Sequence, residues 1–407
     1  MNHVNTHLKG VRMKLAKLSL AAIVALGVSA FADVENVKFS GNAKLYYGTS
    51  DAGNADLFDK DGAYGQAAAT VAVSADLADG VAGKLSATGL STLGLENNLV
   101  SATWAGFDGG TSSQWWVSEA WLAKTFGNTT LKIGRQELDT PLAFSEKWNI
   151  AENTFDAAVL LNSDLPETTL VAAWVGRGNG ADDGGVVKGV VGGTDPFETY
   201  WKKGAYAFAA ITKLIPMTTA QVWFYNVNQV ADAWWLQADV DLNEFAEGLK
   251  AGAQYAFIDV DGVSDDASGF ALKLGYAMDN LKLCAAYSST DDEGPVRIAN
   301  TATGLSANSQ SKLYTEAWWN YGYVSANDVD AYMLKGAYNV EDIANFTAQY
   351  TAADAGKKSM VKDLTEFALT ASKSFGNLDT TLAYIYTDAD DQGDSYNTVQ
   401  LYLTYNF

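Results

Sequence analysis

The chain has 407 residues, of which 48% are hydrophobic, 12% aromatic and only 18% charged, with 5 Pro against 37 Gly and a formal net charge of −21. That acidic balance excludes nucleic-acid binding as a default role, because phosphate binding needs clustered cations. Beyond the N-terminal region no apolar run reaches the roughly 18 residues of a membrane helix, which argues against a helical membrane protein.

Residues 1–32 read as a secretory signal. Lys9, Arg12, Lys14 and Lys17 precede the apolar run Leu18 to Leu26, and Ala30-Phe31-Ala32 supplies the cleavage site. The run is too short for a transmembrane anchor, and Met13-Lys14-Leu15 alone would also open a signal. Cleavage removes four basic residues and both histidines, His3 and His7, and leaves a net charge of −25. Without histidine the mature chain cannot run Ser-His-Asp or Cys-His catalysis or build a His-ligated metal site, so it is read as a non-enzyme.

From Val37 onward apolar and polar residues alternate, the pattern of a half-buried strand. In the first strand Val37, Phe39, Ala43, Leu45 and Tyr47 share one face, and Lys38, Ser40, Asn42 and Lys44 the other. The pattern predicts eighteen strands, at 37–47, 63–78, 81–93, 112–125, 128–137, 153–163, 168–176, 204–213, 218–228, 231–241, 248–259, 268–278, 280–289, 328–340, 343–353, 363–375, 378–388 and 395–407. Sixteen is the alternative. Behind an export signal, the apolar faces meet lipid and the polar faces a water-filled lumen. The fold class is therefore all-β: one antiparallel transmembrane β-barrel domain over 33–407, in the outer membrane.

Short turns at Asp79-Gly80, Phe126 to Asn128, Asp164 to Glu167, Asp279-Asn280, Glu341-Asp342 and Gly376-Asn377 alternate with longer connections such as 94–111, 138–152, 177–203 and 290–327. Short periplasmic turns and long outward loops are expected of such barrels. The glycine-rich stretch Gly176 to Gly193 reads as a surface loop, and Lys312 to Trp319 as a short helix packed in the mouth. Cys284 is the only cysteine, so no intramolecular disulfide can form. Its alternation with Leu281 and Leu283 predicts that it faces inward.

The segment Leu131-Lys132-Ile133-Gly134-Arg135-Gln136-Glu137-Leu138-Asp139-Thr140-Pro141-Leu142, followed by Phe155-Asp156-Ala157-Ala158, is the most recognisable part of the chain. With the signal and the C-terminal aromatic strand, it resembles the major outer membrane porins of Campylobacter-type epsilonproteobacteria, relatives of the substrate-specific porins of pseudomonads. That resemblance implies an eighteen-stranded barrel, a homotrimer, and an inward-folded third loop that narrows the pore. It also implies that Phe407 acts as an outer-membrane assembly signal.

The third outward connection is then the candidate constriction, with Arg135, Glu137, Asp139, Glu146, Lys147, Glu152 and Asp156 as its charged residues. Strict alternation from Leu131 and Ile133 points Arg135 outward, so a bulge at Gly134 is expected to turn it in. The alternative is that Arg135 only pins the loop by pairing with a carboxylate. Lys38, Lys44, Lys84, Lys132, Lys250, Lys273, Lys282 and Lys335 occupy inward strand positions and are expected to line the lumen.

Acids crowd the outward loops, at Asp51, Asp56, Asp59 and Asp61, at Asp259, Asp261, Asp265 and Asp266, at Asp291, Asp292 and Glu293, and at Asp388, Asp390, Asp391 and Asp394. They suggest a mouth that concentrates cations. No cofactor is expected, although these acids could hold calcium or magnesium loosely and bridge to lipopolysaccharide. The leading reading is a porin for passive diffusion of small hydrophilic solutes and ions, mildly cation-selective, whose partners are outer-membrane lipid and lipopolysaccharide. The alternatives are a substrate-specific channel for small charged solutes and a barrel-anchored surface adhesin. An arginine-rich guiding ladder is ruled out, because the mature chain has only Arg135, Arg177 and Arg297.

Overall fold

The computed structural model describes residues 34–91, 93, 113–147, 150–179, 197–199, 203–262, 265–297 and 310–407. The expected signal peptide and most of the glycine-rich stretch lie outside them. The strands in chain order are β1 (Glu35–Ser50), β2 (Ala63–Leu77), β3 (Val81–Ser91), β4 (Ser113–Phe126), β5 (Thr129–Gln136), β6 (Phe155–Asn162), β7 (Thr168–Asn179), β8 (Phe197–Thr199), β9 (Ala205–Thr212) and β10 (Thr218–Val227). They continue as β11 (Ala231–Asp241), β12 (Leu249–Val260), β13 (Ala267–Met278), β14 (Leu281–Thr290), β15 (Val329–Val340), β16 (Ala344–Ala355), β17 (Leu364–Phe375), β18 (Leu378–Ala389) and β19 (Tyr396–Asn406).

Neighbouring strands pair antiparallel, β7 pairs with β9, and β1 pairs with β19, so eighteen strands form a closed barrel. The eighteen expected strands are these. The short β8 adds three residues to β7 in an outward loop and stands outside the circuit. Short turns join neighbouring strands at the rim that carries both termini. Asp79, Asp279 and Asp342 there take φ of 61°, 44° and 61°, the left-handed conformation that tight hairpins demand and that Asp tolerates.

The outer face is apolar because it has no water to meet. Leu45, Leu85, Leu122, Ile133, Leu274 and Leu334 stand exposed on it, as lipid contact requires. Aromatic residues mark both edges of this band: Phe39, Phe126, Tyr276, Tyr338 and Tyr405 toward the termini, and Trp174, Trp234, Phe270 and Tyr332 toward the loops. A period of two puts the opposite residues inside, and these include Gln400, Gln254 and Thr351, each buried.

The described parts of two loops fold into the interior rather than away from it: 137–147 and 150–154 of L3, and 291–297 and 310–328 of L7. Where a helix was expected at Lys312 to Trp319, the chain makes only turns and bends. Its side chains alternate between burial on the wall and partial exposure, and the wall takes the backbone N–H groups of Tyr314, Trp318 and Trp319 while Glu316 N donates locally to Leu313 O.

Closure is fixed by nine residue pairs from Asn42↔Asn406 to Ser50↔Thr398. Beyond them Gly41 N donates to Phe407 O at 2.8 Å and Phe407 N to Gly41 O at 3.0 Å. A Cβ on Gly41 would lie 2.3 Å from Thr70 O and 2.7 Å from the Phe407 ring, so only glycine lets the terminal ring lie across β1. Gly41→Val should therefore cost about 1–3 kcal/mol of barrel stability. The check is the temperature at which the folded, fast-migrating gel band is lost; an unchanged temperature would contradict the seam's dependence on Gly41.

Candidate functional site: the constriction of the lumen

L3 leaves β5 at Glu137 and spans the lumen, leaning on two different walls. Leu142 packs with Trp223, Tyr225 and Trp235 of β10 and β11, and its N–H donates to the Tyr225 hydroxyl at 3.4 Å. Ile150 and Ala151 pack on Tyr46, Leu90 and Trp116 of β1, β3 and β4. Between these footholds Ser145 N donates to Leu138 O at 2.8 Å, Glu146 N to Asn153 Oδ1 at 2.7 Å, and Asn153 Nδ2 to Phe144 O at 3.2 Å. The loop is thus a compact body with its own polar frame. Glu146 is fully buried in that frame rather than open to the passage.

A chain of alternating charge runs from L3 to the wall. Lys147 pairs with Glu137 and, at 2.7 Å, with Glu152, which in turn reaches Lys44 of β1 at 3.4 Å. Burial raises the Glu152 carboxyl, but Lys44 and Lys147 outweigh it and hold the group below the usual carboxylate range. Burial likewise lowers the Lys147 ammonium, and its bonds to Glu137 and Glu152 raise it above the usual lysine value.

A second group lies on the wall beneath. Lys84 of β3 pairs with Glu119 of β4, Trp121 Nε1 donates to Glu119 at 3.4 Å, and the Lys132 ammonium sits 4.2 Å over the Trp121 ring. Lys132 is in no ion pair among the described residues, so these groups carry one surplus positive charge. The β3–β4 register shifts between Ser86 and Ala87, which leaves Ser118 unmatched and turns Glu119 inward. Alternation alone would have sent Glu119 to lipid, which is why sequence reasoning missed it. Lys44, Lys84, Glu119, Glu137, Lys147 and Glu152 line a cavity of about 310 Å³ with Ser40, Asn42, Thr70 and Thr88.

L7 completes the narrowing. Lys312 pairs with Asp139 of L3 and sits 4.8 Å over Phe144, linking the two loops. Next to it the Tyr314 hydroxyl donates to Asp239 at 2.9 Å, and Asp239 pairs with Lys273 at 2.6 Å. Within L7, burial pushes the Glu316 carboxyl up to about 7, although Ser311 and Gly322 donate to it and Arg297 lies near. Lys312, Tyr314 and Glu316 were not singled out as site residues, although 312–319 was expected in the mouth, since a loop sequence does not say which wall residues it meets.

Of the expected constriction residues, Glu137, Asp139, Lys147 and Glu152 come together here. Arg135 and Asp156 do not join them. The β4–β5–β6 ladder is continuous through Gly134, so Arg135 keeps the outer face of Leu131 and Ile133, and the expected bulge at Gly134 is absent. Gly134 instead adopts φ +121°, where a Cβ would sit 2.2 Å from Ala120 O. The bulge lies in β7, where Gly176 is unmatched opposite Asp156 and Ala157. It brings Arg177 to the same face, and Asp156 takes Arg135 at 2.8 Å and Arg177 at 2.9 Å. Pairing makes the outward arginine tolerable, at the level where L3 leaves the wall. Lys38, Lys250, Lys282 and Lys335 occupy inward positions nearer the terminal rim and are in no ion pair among the described residues. Cys284 shares that inward face, directly opposite Lys335.

No protein-family model and no curated protein matches the sequence. Solved structures do share the fold. OpdK of Pseudomonas aeruginosa superposes with a TM-score of 0.71 at 13% identity, over 92% of this chain and 100% of that one. OccAB4 of Acinetobacter baumannii gives 0.70 at 13% identity, over 92% and 99%, and OccK8 (OprE) of P. aeruginosa 0.69 at 15%, over 92% and 99%. The chain is similar to these barrels in architecture, and the closed barrel with an apolar belt belongs in the outer membrane.

The Glu152 carboxyl, depressed on folding, seats L3 fully above the ordinary carboxylate range and loses that contribution as pH falls through its lower folded value. The raised Lys147 contributes below the ordinary lysine value and is lost only as pH climbs through its higher one. L3 should therefore stay seated across neutral pH. Lys44→Ala removes one of the cations that depress Glu152, so acid-induced changes in single-channel current should begin at a higher pH than in the wild type. An unchanged acid midpoint would contradict this coupling.

Proposed function

We propose that this barrel is a passive channel for small hydrophilic solutes, narrowed by L3 and L7 and favouring solutes that carry a carboxylate. The observation that carries this reading is the charge pattern at the narrowing. Glu119, Glu137 and Glu152 are each paired with lysine, while Lys132 is left over. A charge in a narrow, low-dielectric passage acts more strongly on a solute than one in open loops. Paired carboxylates and lysines also offer partners of both signs to a solute that replaces its water there. The shared fold with OpdK, which was solved with vanillate, supports a selective channel. The likeness of 131–142 to Campylobacter-type major porins supports the same class, with trimeric assembly and lipopolysaccharide contact as its further implications.

Mild cation selectivity is the second reading, and it rests on the acids of the outward loops, among them Asp51, Asp261, Asp390 and Asp391. Reversal potential across a potassium chloride gradient in a planar bilayer separates the two. Anion preference that declines in Lys132→Ala supports control by the narrowing. Cation preference unaffected by that change supports control by the loops. Absence of any conductance would refute the channel itself.

A further inference from the structure

Glu366 is a buried carboxylate on β17, 1% exposed, in no ion pair with lysine or arginine among the described residues. Charge held that way is costly unless hydrogen bonds replace the lost water. All of its bonds go to one place. Its oxygens accept Trp318 N at 2.6 Å, Trp319 N at 3.1 and 3.2 Å, Asn320 N at 2.7 Å, and Asn320 Nδ2 at 2.8 Å. Three consecutive backbone N–H groups converge on it, an arrangement that suits an anion.

The surroundings extend the contact. Trp318 and Trp319 pack on Ala368, Ala383 and Ile385 of β17 and β18. Asn320 Nδ2 also donates to Thr387 Oγ1 of β18 at 2.9 Å, and Gln349 Nε2 of β16 donates to Glu316 O at 2.9 Å. None of the Glu366 side-chain bonds serves a strand. The barrel ladder on both sides, Thr351↔Glu366 and Glu366↔Thr387, is made by backbone and would survive loss of the carboxylate.

We infer that Glu366 is a positioning residue that seats the 318–320 segment of L7 inside the lumen and thereby sets the width of the passage and the size of solute it admits. This rests on the channel reading above. L7 is held before this segment by Lys312 on Asp139 and Tyr314 on Asp239 and after it by Tyr323 on Asp391, so loss of the Glu366 bonds loosens 318–320 while those contacts stay.

The test uses full-length protein in planar bilayers. Glu366→Ala should raise single-channel conductance about twofold, add current noise, and admit larger neutral polyethylene glycols, because a wider filled lumen carries more ions. Glu366→Gln keeps the shape but places an NH₂ against N–H donors, and should shift both readouts in the same direction. Folding is followed by heat-modifiable gel mobility. In a Glu366→Ala, Cys284→Ser background, Asn320→Cys with Thr387→Cys should restore the narrow conductance when oxidised and lose it on reduction. Wild-type conductance and size cut-off in folded Glu366→Ala and Glu366→Gln would overturn the inference while leaving the channel reading intact. Loss of the barrel in both variants would make Glu366 a folding residue and overturn it too. A wild-type protein that does not conduct would refute the channel reading, and this inference with it.

Discussion

Every structural feature depends on the requirement that no backbone N–H or C=O be left unpaired against lipid. A sheet meets it only by closing on itself, and here the closing seam is β1 against β19, two strands almost 350 residues apart in sequence. The reciprocal bonds between Gly41 and Phe407 carry that seam to the last residue. Once the ring is closed, its two faces meet different solvents, and the period of two along each strand sorts side chains between them.

Closure also creates an interior in which charge can be kept. On the outer wall Arg135 persists only because Asp156 pairs with it and with Arg177. Inside, the same pairing chemistry is spread over Lys44, Lys84, Lys147, Glu119, Glu137 and Glu152, and it ties a loop to the wall. L3 and L7 divide that work. L3 is anchored by apolar feet at Leu142 and Ile150 and by its ion pairs, and L7 by Leu313, Ala317, Trp318 and Tyr323 packed on the wall together with polar contacts at Asp139, Asp239 and Glu366.

The strands were legible because alternation is a local property. Leu45, Lys44 and Tyr46 already show which side each faces, and a turn such as Asp79-Gly80 shows where the chain reverses. The residues that meet at the narrowing were legible where they lay on strands, as with Lys84, or through the resemblance in the third outward connection, as with Glu137, Asp139, Lys147 and Glu152. Glu119 was missed because one unmatched residue, Ser118, inverts the face of everything beside it. The same rule misplaced the expected bulge: Gly134 has a special conformation without a register shift, while Gly176 carries the shift. Lys312 to Trp319 looked helical in isolation, but Tyr314, Trp318 and Trp319 donate their backbone N–H groups to side chains of distant strands.

The sequence by itself determined the all-β class, the placing of the strands and the inward lysines, since each follows from composition or from neighbours two residues apart. Only the tertiary structure decided which walls L3 and L7 lean on, that Asp139 meets Lys312 and that Glu366 receives the backbone of 318–320. Those contacts join residues separated by tens to hundreds of positions, and a loop's direction is set by the wall it finds rather than by any period of its own.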